Sequence, residues 1–301
     1  MTWSTVNPSV GIPGFNVDSE TWFASIFASY PLIRSRRSSV VAAAGFDYVD
    51  QDVVLNGFGL TRDRVRMASL RLTGDMTDEA SLQRVGIYSP YEPRWRLSYA
   101  MELRHGLDVI SASPDCRPNP LACLIGGAVA PSRIEADPTP FLARFSAGAE
   151  FRPDAVVTFA LDTQAQFSRD PLPAFEEIAA GSFSIGRGYD PGAVLGDSGV
   201  LTSFEIRYGS LAPKEVNGWA LQPYLFSDVA FAWNEDPSRK PTNPDRLWSA
   251  GGGLRANWSR GLQSDLVVAV PFARPDLATG RGDVRILFSL TARLLPWRFT
   301  R

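Results

Sequence analysis

Alternation of apolar and polar residues is the dominant pattern of this chain. In the run 94–104 every odd position is apolar and every even position is polar or small, and the runs 141–151 and 284–294 repeat this period of two. Such alternation predicts β-strands with one apolar and one polar face. Weaker runs bring the total to about twelve predicted strands, the others being 21–30, 38–49, 64–76, 155–168, 177–186, 199–209, 219–233, 246–258 and 261–272.

The length of these runs distinguishes a soluble sheet from a membrane barrel. Soluble strands typically have about 5–6 residues, whereas a strand that crosses a membrane at a steep tilt needs roughly 9–11. Most of the predicted strands have about nine to fifteen residues, and no helical stretch separates them. Consecutive strands are therefore expected to pair as an antiparallel meander, and closure of this sheet into a barrel leaves no strand with an exposed edge. The sequence therefore predicts an all-β fold, a transmembrane antiparallel β-barrel.

Two tryptophans agree with this interpretation. Trp248 and Trp258 lie ten residues apart on one face of a single predicted strand. This separation corresponds to ~33 Å of strand. At a tilt near 40° the height is about 25 Å, which is the thickness of the apolar band between the aromatic girdles of outer-membrane barrels. We expect the Trp face to contact lipid and the charged face to line a lumen.

Composition narrows the function without deciding it. The 301 residues carry a formal net charge of −2 and are 45% hydrophobic. No basic stripe is present, so nucleic acid is not an expected partner. No apolar run reaches the length of a transmembrane helix. We expect residues 1–20 to be a lead-in or an incomplete strand, and residues 21–301 to form the barrel.

Residues with the potential for catalysis or metal binding are few. The single histidine, His105, has Ser98 and Ser111 nearby in sequence, which admits a barrel lipase but equally a solvated side chain at a strand end. Cys116 and Cys123 lie in a Pro-rich loop, and their spacing admits either a small disulfide or two free thiols. These residues cannot complete a four-ligand zinc set. We expect no catalytic residues, no metal and no cofactor.

A glycine-rich segment is the most informative stretch. Residues 184–199 contain five glycines between two strand-like runs. Glycine at this density lets the backbone fold back and pack closely. The segment is expected to fold into a polar interior and to place Arg187 opposite a buried partner.

The motifs of this segment resemble a known family. Gly186-Arg187-Gly188-Tyr189, then Gly196-Asp197, then Glu205 in the next strand resemble the inward-folded sixth loop of the outer-membrane transporters of two-partner secretion. These are the haemolysin and adhesin secretion/activation proteins of the Omp85 group. Three more segments resemble family motifs in the family's order, namely 29–36, 106–110 and 224–228, the last containing Phe226 and Asp228.

The resemblance implies a site and a function. It implies that loop 186–198 enters the lumen and that Arg187 pairs with Asp228, with Glu205 as a competing partner. The residues agree, because Asp228 has the parity of Gln222 and Tyr224, on the face opposite the apolar positions. The implied protein is a bacterial outer-membrane pore that translocates a large exoprotein, with lipid as its surroundings. We expect a monomer.

Departures from the family pattern leave alternatives. The family commonly has valine before the arginine, and Gly186 here predicts a looser loop tip. The family also has a signal peptide, a plug helix, two periplasmic domains and sixteen strands, so this chain is expected to be a fragment, to have a misassigned start or to be a degenerate transporter, and we favour the fragment. The alternative functions are an assembly factor for other barrels and, third, the barrel lipase.

Overall fold

The described part of the chain consists almost entirely of long antiparallel strands. A computed structural model describes residues 2–6, 16–83, 86–125, 129–181, 183–213, 215, 218–236, 244–258, 261–275, 280 and 282–292. The strands are β1 (Thr2–Val6), β2 (Val17–Arg34), β3 (Ser38–Leu55), β4 (Phe58–Thr77), β5 (Trp95–Gly106), β6 (Phe141–Phe151), β7 (Val157–Ser168), β8 (Ile178–Ala180), β9 (Val194–Gly196), β10 (Ser198–Tyr208), β11 (Trp219–Trp233), β12 (Asp245–Trp258), β13 (Leu262–Pro271) and β14 (Arg285–Ala292).

Twelve of these strands form one sheet. Each pairs with its neighbour in chain order, except that β7 pairs directly with β10, and every pairing is antiparallel. The two short strands β8 and β9 pair only with each other, outside this sheet. Among the described residues the sheet runs from β1 to β14, and no pairing joins these two strands. The prediction of an all-β antiparallel fold is confirmed.

The two faces of the sheet differ as the alternation predicted. On β11 the even residues from Gln222 to Ala232 are buried inside, whereas Leu225 and Phe231 are exposed on the outside. Trp248 and Trp258 on β12 both lie on this outer face and are exposed. Other large apolar side chains of the outer face are Leu70, Met101, Phe145, Phe167, Phe204, Leu266, Ile286 and Phe288.

The connections differ in length between the two rims of the sheet. One rim, the short-turn rim, carries the connections 35–37, 78–94, 152–156, 209–218 and 259–261. The opposite rim, the long-loop rim, carries the two-residue turn 56–57 and the longer connections 107–140, 169–197, 234–244 and 272–284. Most of the long connections therefore lie at this rim.

The boundaries correct one prediction and add a strand in the segment 1–20, for which the sequence predicts a lead-in or an incomplete strand. The predicted strand 177–186 is reduced to β8, because this stretch leaves the sheet wall. The twelfth strand of the sheet is instead β1, which lies within the predicted lead-in 1–20 and pairs with β2 through Thr2–Phe23 to Val6–Ser19. Met1, residues 7–15 and the predicted strand end at 293–294 lie outside the described residues.

Helices contribute little to the described structure. They are α1 (Glu79–Leu82), α2 (Pro120–Ile125) and a 3-10 turn (Ala174–Glu176). Within the ranges given above, no helix has the length and the apolar character needed to cross a membrane.

Candidate functional site

A segment folded into the interior of the sheet forms the centre of the candidate site. Residues 169–197, here named the inward loop, leave the wall after β7 and rejoin it at β10, and β8 and β9 lie within this loop. This range is longer than the predicted 186–198, and Ser198 belongs to β10. The loop packs on the wall through a small apolar cluster, formed by Ala180, Ile185, Tyr189, Val194, Leu201, Ala230, Ala232 and Leu247.

The guanidinium of Arg187 is bound to a carboxylate of the wall. Its Nε donates to Oδ2 of Asp228 at 2.9 Å and its Nη2 donates to Oδ1 at 2.7 Å. The backbone N–H groups of Gly186 and Arg187 donate to the same Oδ2 at 3.1 and 3.0 Å. Arg187 is 2% exposed and Asp228 is fully buried. Asp228 therefore accepts four hydrogen bonds from the loop, in the bidentate geometry that makes an Arg–carboxylate pair strong.

Glu205 binds the same arginine at the same time. Nη1 of Arg187 donates to Oε1 of Glu205 at 2.6 Å, and Nη2 also donates to Ser203 Oγ at 2.8 Å. Glu205 accepts further bonds from Arg255 at 2.9 and 3.0 Å and from Arg207 at 2.7 Å. The two carboxylates thus share Arg187 instead of competing for it. Since all these groups are largely buried, each charge is compensated by opposite charges within direct contact.

Aromatic rings complete the surroundings of Arg187. Its guanidinium carbon lies 3.6 Å from the ring centroid of Phe226, and that of Arg255 lies 4.0 Å from the ring of Tyr224. These rings lie over two glycines of β12, since a Cβ at Gly253 would be 2.4 Å from the Tyr224 ring and one at Gly251 would be 3.0 Å from the Phe226 ring. Such stacking of a cation on a ring is worth about 0.5–2 kcal/mol.

The tip of the inward loop is tightly packed. Gly186 has φ of +85°, and a Cβ there would lie 2.9 Å from the backbone nitrogen of Gly181. Glycine is therefore the residue that this backbone requires. The prediction that Gly186 loosens the tip is corrected. The next two motif residues also touch the wall, since Gly188 N–H donates to Ser249 Oγ at 3.3 Å and Tyr189 Oη lies 2.7 Å from the carbonyl oxygen of Trp248.

Asp197 binds the C-terminal end of the inward loop to the connection 107–140. Its carboxylate accepts bonds from Arg133 Nη1 at 2.5 Å and from the backbone N–H groups of Leu172 and Glu235, both at 2.8 Å. Asp197 is fully buried and Arg133 is 2% exposed. Arg133 belongs to the connection 107–140, so the inward loop is also bound to this connection at the long-loop rim. The preceding Gly196 lies against β11, where a Cβ would be 2.9 Å from the Trp233 backbone.

The same connection carries the two cysteines. Cys116 and Cys123 form a disulfide with a Cα–Cα distance of 5.9 Å, which decides between the two possibilities that the sequence left open. Beside the disulfide, Arg117 donates to Asp115 at 2.8 Å and to Asp137 at 2.8 Å. The Arg117 guanidinium holds the pKa of the Asp115 carboxyl below its usual value.

Glu176 binds the N-terminal part of the inward loop to strands β5 and β6. Arg104 of β5 donates to it from Nε at 3.1 Å and from Nη2 at 2.8 Å, and Arg144 of β6 donates at 2.8 Å. Glu176 is 1% exposed. Gln166 of β7 also donates to the Glu176 backbone carbonyl oxygen at 2.8 Å. The inward loop is therefore bound to the β5–β7 side by Glu176 and to the β10–β11 side by Arg187.

The structure brings most of the predicted site residues together. Arg187, Glu205, Phe226 and Asp228 form one contact network, whereas Asp197 belongs to a second network. Sequence reasoning missed other members, because they belong to no short motif: Arg104, Arg133, Arg144, Glu176, Ser203, Ser249 and Arg255. For three of these a signal existed, since Arg104, Arg144 and Arg255 are cations on the polar face of predicted strands.

The residues considered for lipase chemistry do not form a site. Ser98 and His105 are seven positions apart on β5, so their side chains point to opposite faces. The exposed His105 ring lies 6.4 Å from the ring of Phe141 on the outer face. In the described ranges, no group of three or more His, Cys, Asp or Glu is arranged to hold a metal ion.

The fold and the loop network agree with a family model. The model of the haemolysin secretion/activation protein ShlB/FhaC/HecB matches residues 13–256. The chain belongs to this family. Its members are outer-membrane β-barrel transporters of two-partner secretion. No curated protein sequence matches the chain.

Solved structures of related barrels are similar to the chain in fold. CdiB from Escherichia coli has a TM-score of 0.74 at 15% identity, and the match covers 96% of this chain and 49% of that one. CdiB from Acinetobacter baumannii has a TM-score of 0.66 at 15% identity, with 96% and 46% covered. BamA from Haemophilus ducreyi, lacking POTRA domains 1–3, has a TM-score of 0.56 at 13% identity, with 91% and 55% covered. The chain thus spans about half the length of the CdiB structures.

Proposed function

We propose that this chain forms the wall and the inward loop of an outer-membrane channel that passes a large exoprotein to the cell surface. In this role the inward loop occupies the lumen at rest and moves when cargo passes. The observation that carries the proposal is the burial of Arg187 against Asp228 and Glu205, on the lumen side of the sheet. A loop that served only the stability of the sheet would not need a buried network of charges, because apolar residues of similar volume stabilise an interior at least as well.

The partners of such a channel are outer-membrane lipid and the exoprotein. The exposed apolar side chains of the outer face, such as Leu225 and Phe288, suit contact with lipid. The polar lumen suits an unfolded polypeptide, and we propose that the channel works as a monomer. Ser98 and His105, the pair considered for a lipase, lie on opposite faces of β5.

The test is the loss and recovery of one secreted protein. The gene is deleted in its host, and the proteins of the culture medium and of the cell surface are compared by mass spectrometry. We expect one large polypeptide to disappear and to return when the gene is restored. A restored gene that carries Asp228→Asn should return less of it, whereas Asp190→Asn, a change at an exposed residue of the same loop, should return the full amount.

Other outcomes would contradict the proposal. If the abundance of many outer-membrane barrels falls while secretion of each large polypeptide is unchanged, the chain is an assembly factor for other barrels. If neither the secreted proteins nor the barrels change, both functions are wrong.

A further inference from the structure

Free space in the lumen lies against one side of the sheet. A cavity of about 460 Å³ is bounded by β5, β6 and β7 and by the inward loop at Glu177, Ile178 and Ala179. A second cavity of about 270 Å³ continues along the same three strands towards the short-turn rim. The two cavities share Ala100, Ser146 and Gln164 in their linings. They form one groove along the β5–β7 wall.

The lower part of this groove, towards the short-turn rim, is lined mostly by small or uncharged side chains, namely Ser98 and Ala100 on β5, Ser146 and Gly148 on β6, and Gln164 on β7, together with the carboxylate of Asp162. The upper part, below the inward loop, also has the charged side chains of Arg71, Glu102, Arg144 and Glu177 in its lining. Gly148 has no room for a side chain, since a Cβ would lie 2.9 Å from Ser98 Oγ and 3.0 Å from Asp162 Oδ1. The facing wall of β10–β13 is instead filled by arginines, carboxylates and aromatic rings. A passing polypeptide would therefore meet a polar surface on the β5–β7 wall, with most of its charged groups below the inward loop.

The groove has the dimensions of an extended chain. Three neighbouring strands span about 10 Å across the sheet, which is wide enough for one extended segment to lie on its face. From Ser98 to Glu102 the groove follows β5 for roughly 13 Å at 3.3 Å per residue, which is the length of about four extended residues. Strand β6 pairs along its whole length with β5 and β7, so the groove offers no free edge for strand addition. A segment in the groove would thus be held by side-chain contacts and not by strand pairing, which leaves its register along the wall unfixed.

The upper end of the groove is closed by the inward loop. The closing residues Ile178 and Ala179 belong to β8, which follows directly on Glu176 and Glu177. Glu176 is bound to Arg104 and Arg144 of the same wall. The contact that holds the loop over the groove is therefore the Glu176 contact, and Arg187 binds the other side.

We propose that the β5–β7 wall is the surface along which an extended polypeptide passes through the lumen. The proposal rests on the proposed function and adds the path to it. The ligand is an unfolded segment of low apolar content, in extended conformation. It enters from the short-turn rim, contacts Ser98, then Ser146 and Gln164, and leaves where the β8 segment is displaced.

Site-specific photocrosslinking tests the path. Benzoylphenylalanine replaces Ser98, Gln164 or Gln263 in the full chain, purified in detergent micelles. Gln263 is the matched control, because it is an exposed glutamine on the lumen face of β13, one residue from the short-turn rim. The probe is a fluorescent 30-residue peptide of Gly, Ser, Asn and Thr. Since the groove opens below the loop, the peptide reaches Gln164 without displacing the loop.

We expect adducts at Ser98 and at Gln164, with at least a tenfold lower yield at Gln263. Equal yields at Gln164 and Gln263, or a higher yield at Gln263, would overturn the path and leave the proposed transport in place. Adducts at Ser98 and Gln263 without adducts at Gln164 would show contact at the rim only and would also overturn it. The absence of adducts at all three sites would count against both the path and the transport of polypeptide. Correct folding of each variant is checked by its heat-dependent migration in gels.

Discussion

The contact between Arg187 and Asp228 allows a quantitative prediction for Asp228→Asn. The change keeps the volume of the side chain but removes its charge, so Arg187 loses a bidentate carboxylate and Gly186 N–H loses a charged acceptor. Breaking a buried ion pair by neutralising one partner costs about 3–5 kcal/mol. Glu205 and Ser203 remain bound to Arg187, so we expect the free energy that holds the loop tip on the wall to fall by about 3 kcal/mol. This change raises the fraction of molecules with an open loop tip roughly 150-fold.

Hydrogen exchange of the loop tip measures this change. The backbone N–H groups of Gly186 and Arg187 donate to Asp228, so their exchange reports the opening of this contact. We expect exchange in the peptide that covers these residues to be roughly 150-fold faster in Asp228→Asn, with unchanged exchange in β5 and β6. Single-channel recordings in planar bilayers should show longer open times in the same variant.

Asp190→Asn is the control for this experiment. Asp190 lies in the same loop and pairs with Arg285 at 2.8 Å, but its side chain is 87% exposed. An exposed pair contributes about 0–1 kcal/mol, so exchange at the tip should stay within about fivefold of the wild type. Equal exchange in Asp228→Asn and in the wild type would refute the reasoning. Exchange that is accelerated over the whole sheet would also refute it, because the pair would then stabilise the barrel and not the position of the loop.

Three further changes test other parts of the network. Glu176→Gln should accelerate hydrogen exchange in β8 by about 100-fold and leave the Arg187 tip protected, because only the contact with the β5–β7 wall is weakened; simultaneous release of both regions would contradict separate contacts. Gly253→Val should lower the thermal unfolding temperature by several degrees, because its Cβ falls 2.4 Å from the Tyr224 ring, whereas Gly280→Val, with open space around it, should not. Joint replacement of Cys116 and Cys123 by serine should cost about 2–4 kcal/mol in the stability of the surface connection, seen as faster proteolysis there; an unchanged rate would show that the disulfide is dispensable.

The sequence predicted the sheet well because its physical signal is local. A strand with lipid on one side and water on the other must alternate, so the runs around Trp95, Phe141 and Ile286 are readable without any tertiary information. The segment 177–186 has the same local pattern, yet only Ile178–Ala180 forms a strand. Its apolar residues, among them Ile185, pack on the inner wall instead of on lipid. Periodicity cannot distinguish these two apolar surroundings.

The candidate site was predictable only in part. A short motif joins Arg187 with its neighbours, and the parity of β11 alone directs Asp228 inwards. Glu176 and Arg104 are 72 positions apart, and no local pattern marks them as partners. The adjacent Glu176 and Glu177 bind different arginines, Arg104 and Arg133, at the end of the 3-10 turn, where strand parity does not apply. Contacts of this kind depend on how the loop crosses the lumen, which is a property of the whole sheet.

The arrangement of the contacts has a consequence for the way in which the loop moves. Glu176, Arg187 and Asp197 hold it to three different elements, and the loss of all three contacts together would cost roughly three times about 3–5 kcal/mol. Breaking the contacts one after another limits the largest single cost to about 3–5 kcal/mol, so we expect sequential and not simultaneous opening. Arg144, which binds Glu176, and the adjacent Glu177 line the larger cavity of the lumen, where water can compensate the separated charges. We therefore expect the β5–β7 side to open first, while Arg187 stays bound to Asp228 and keeps the loop tethered for reclosure.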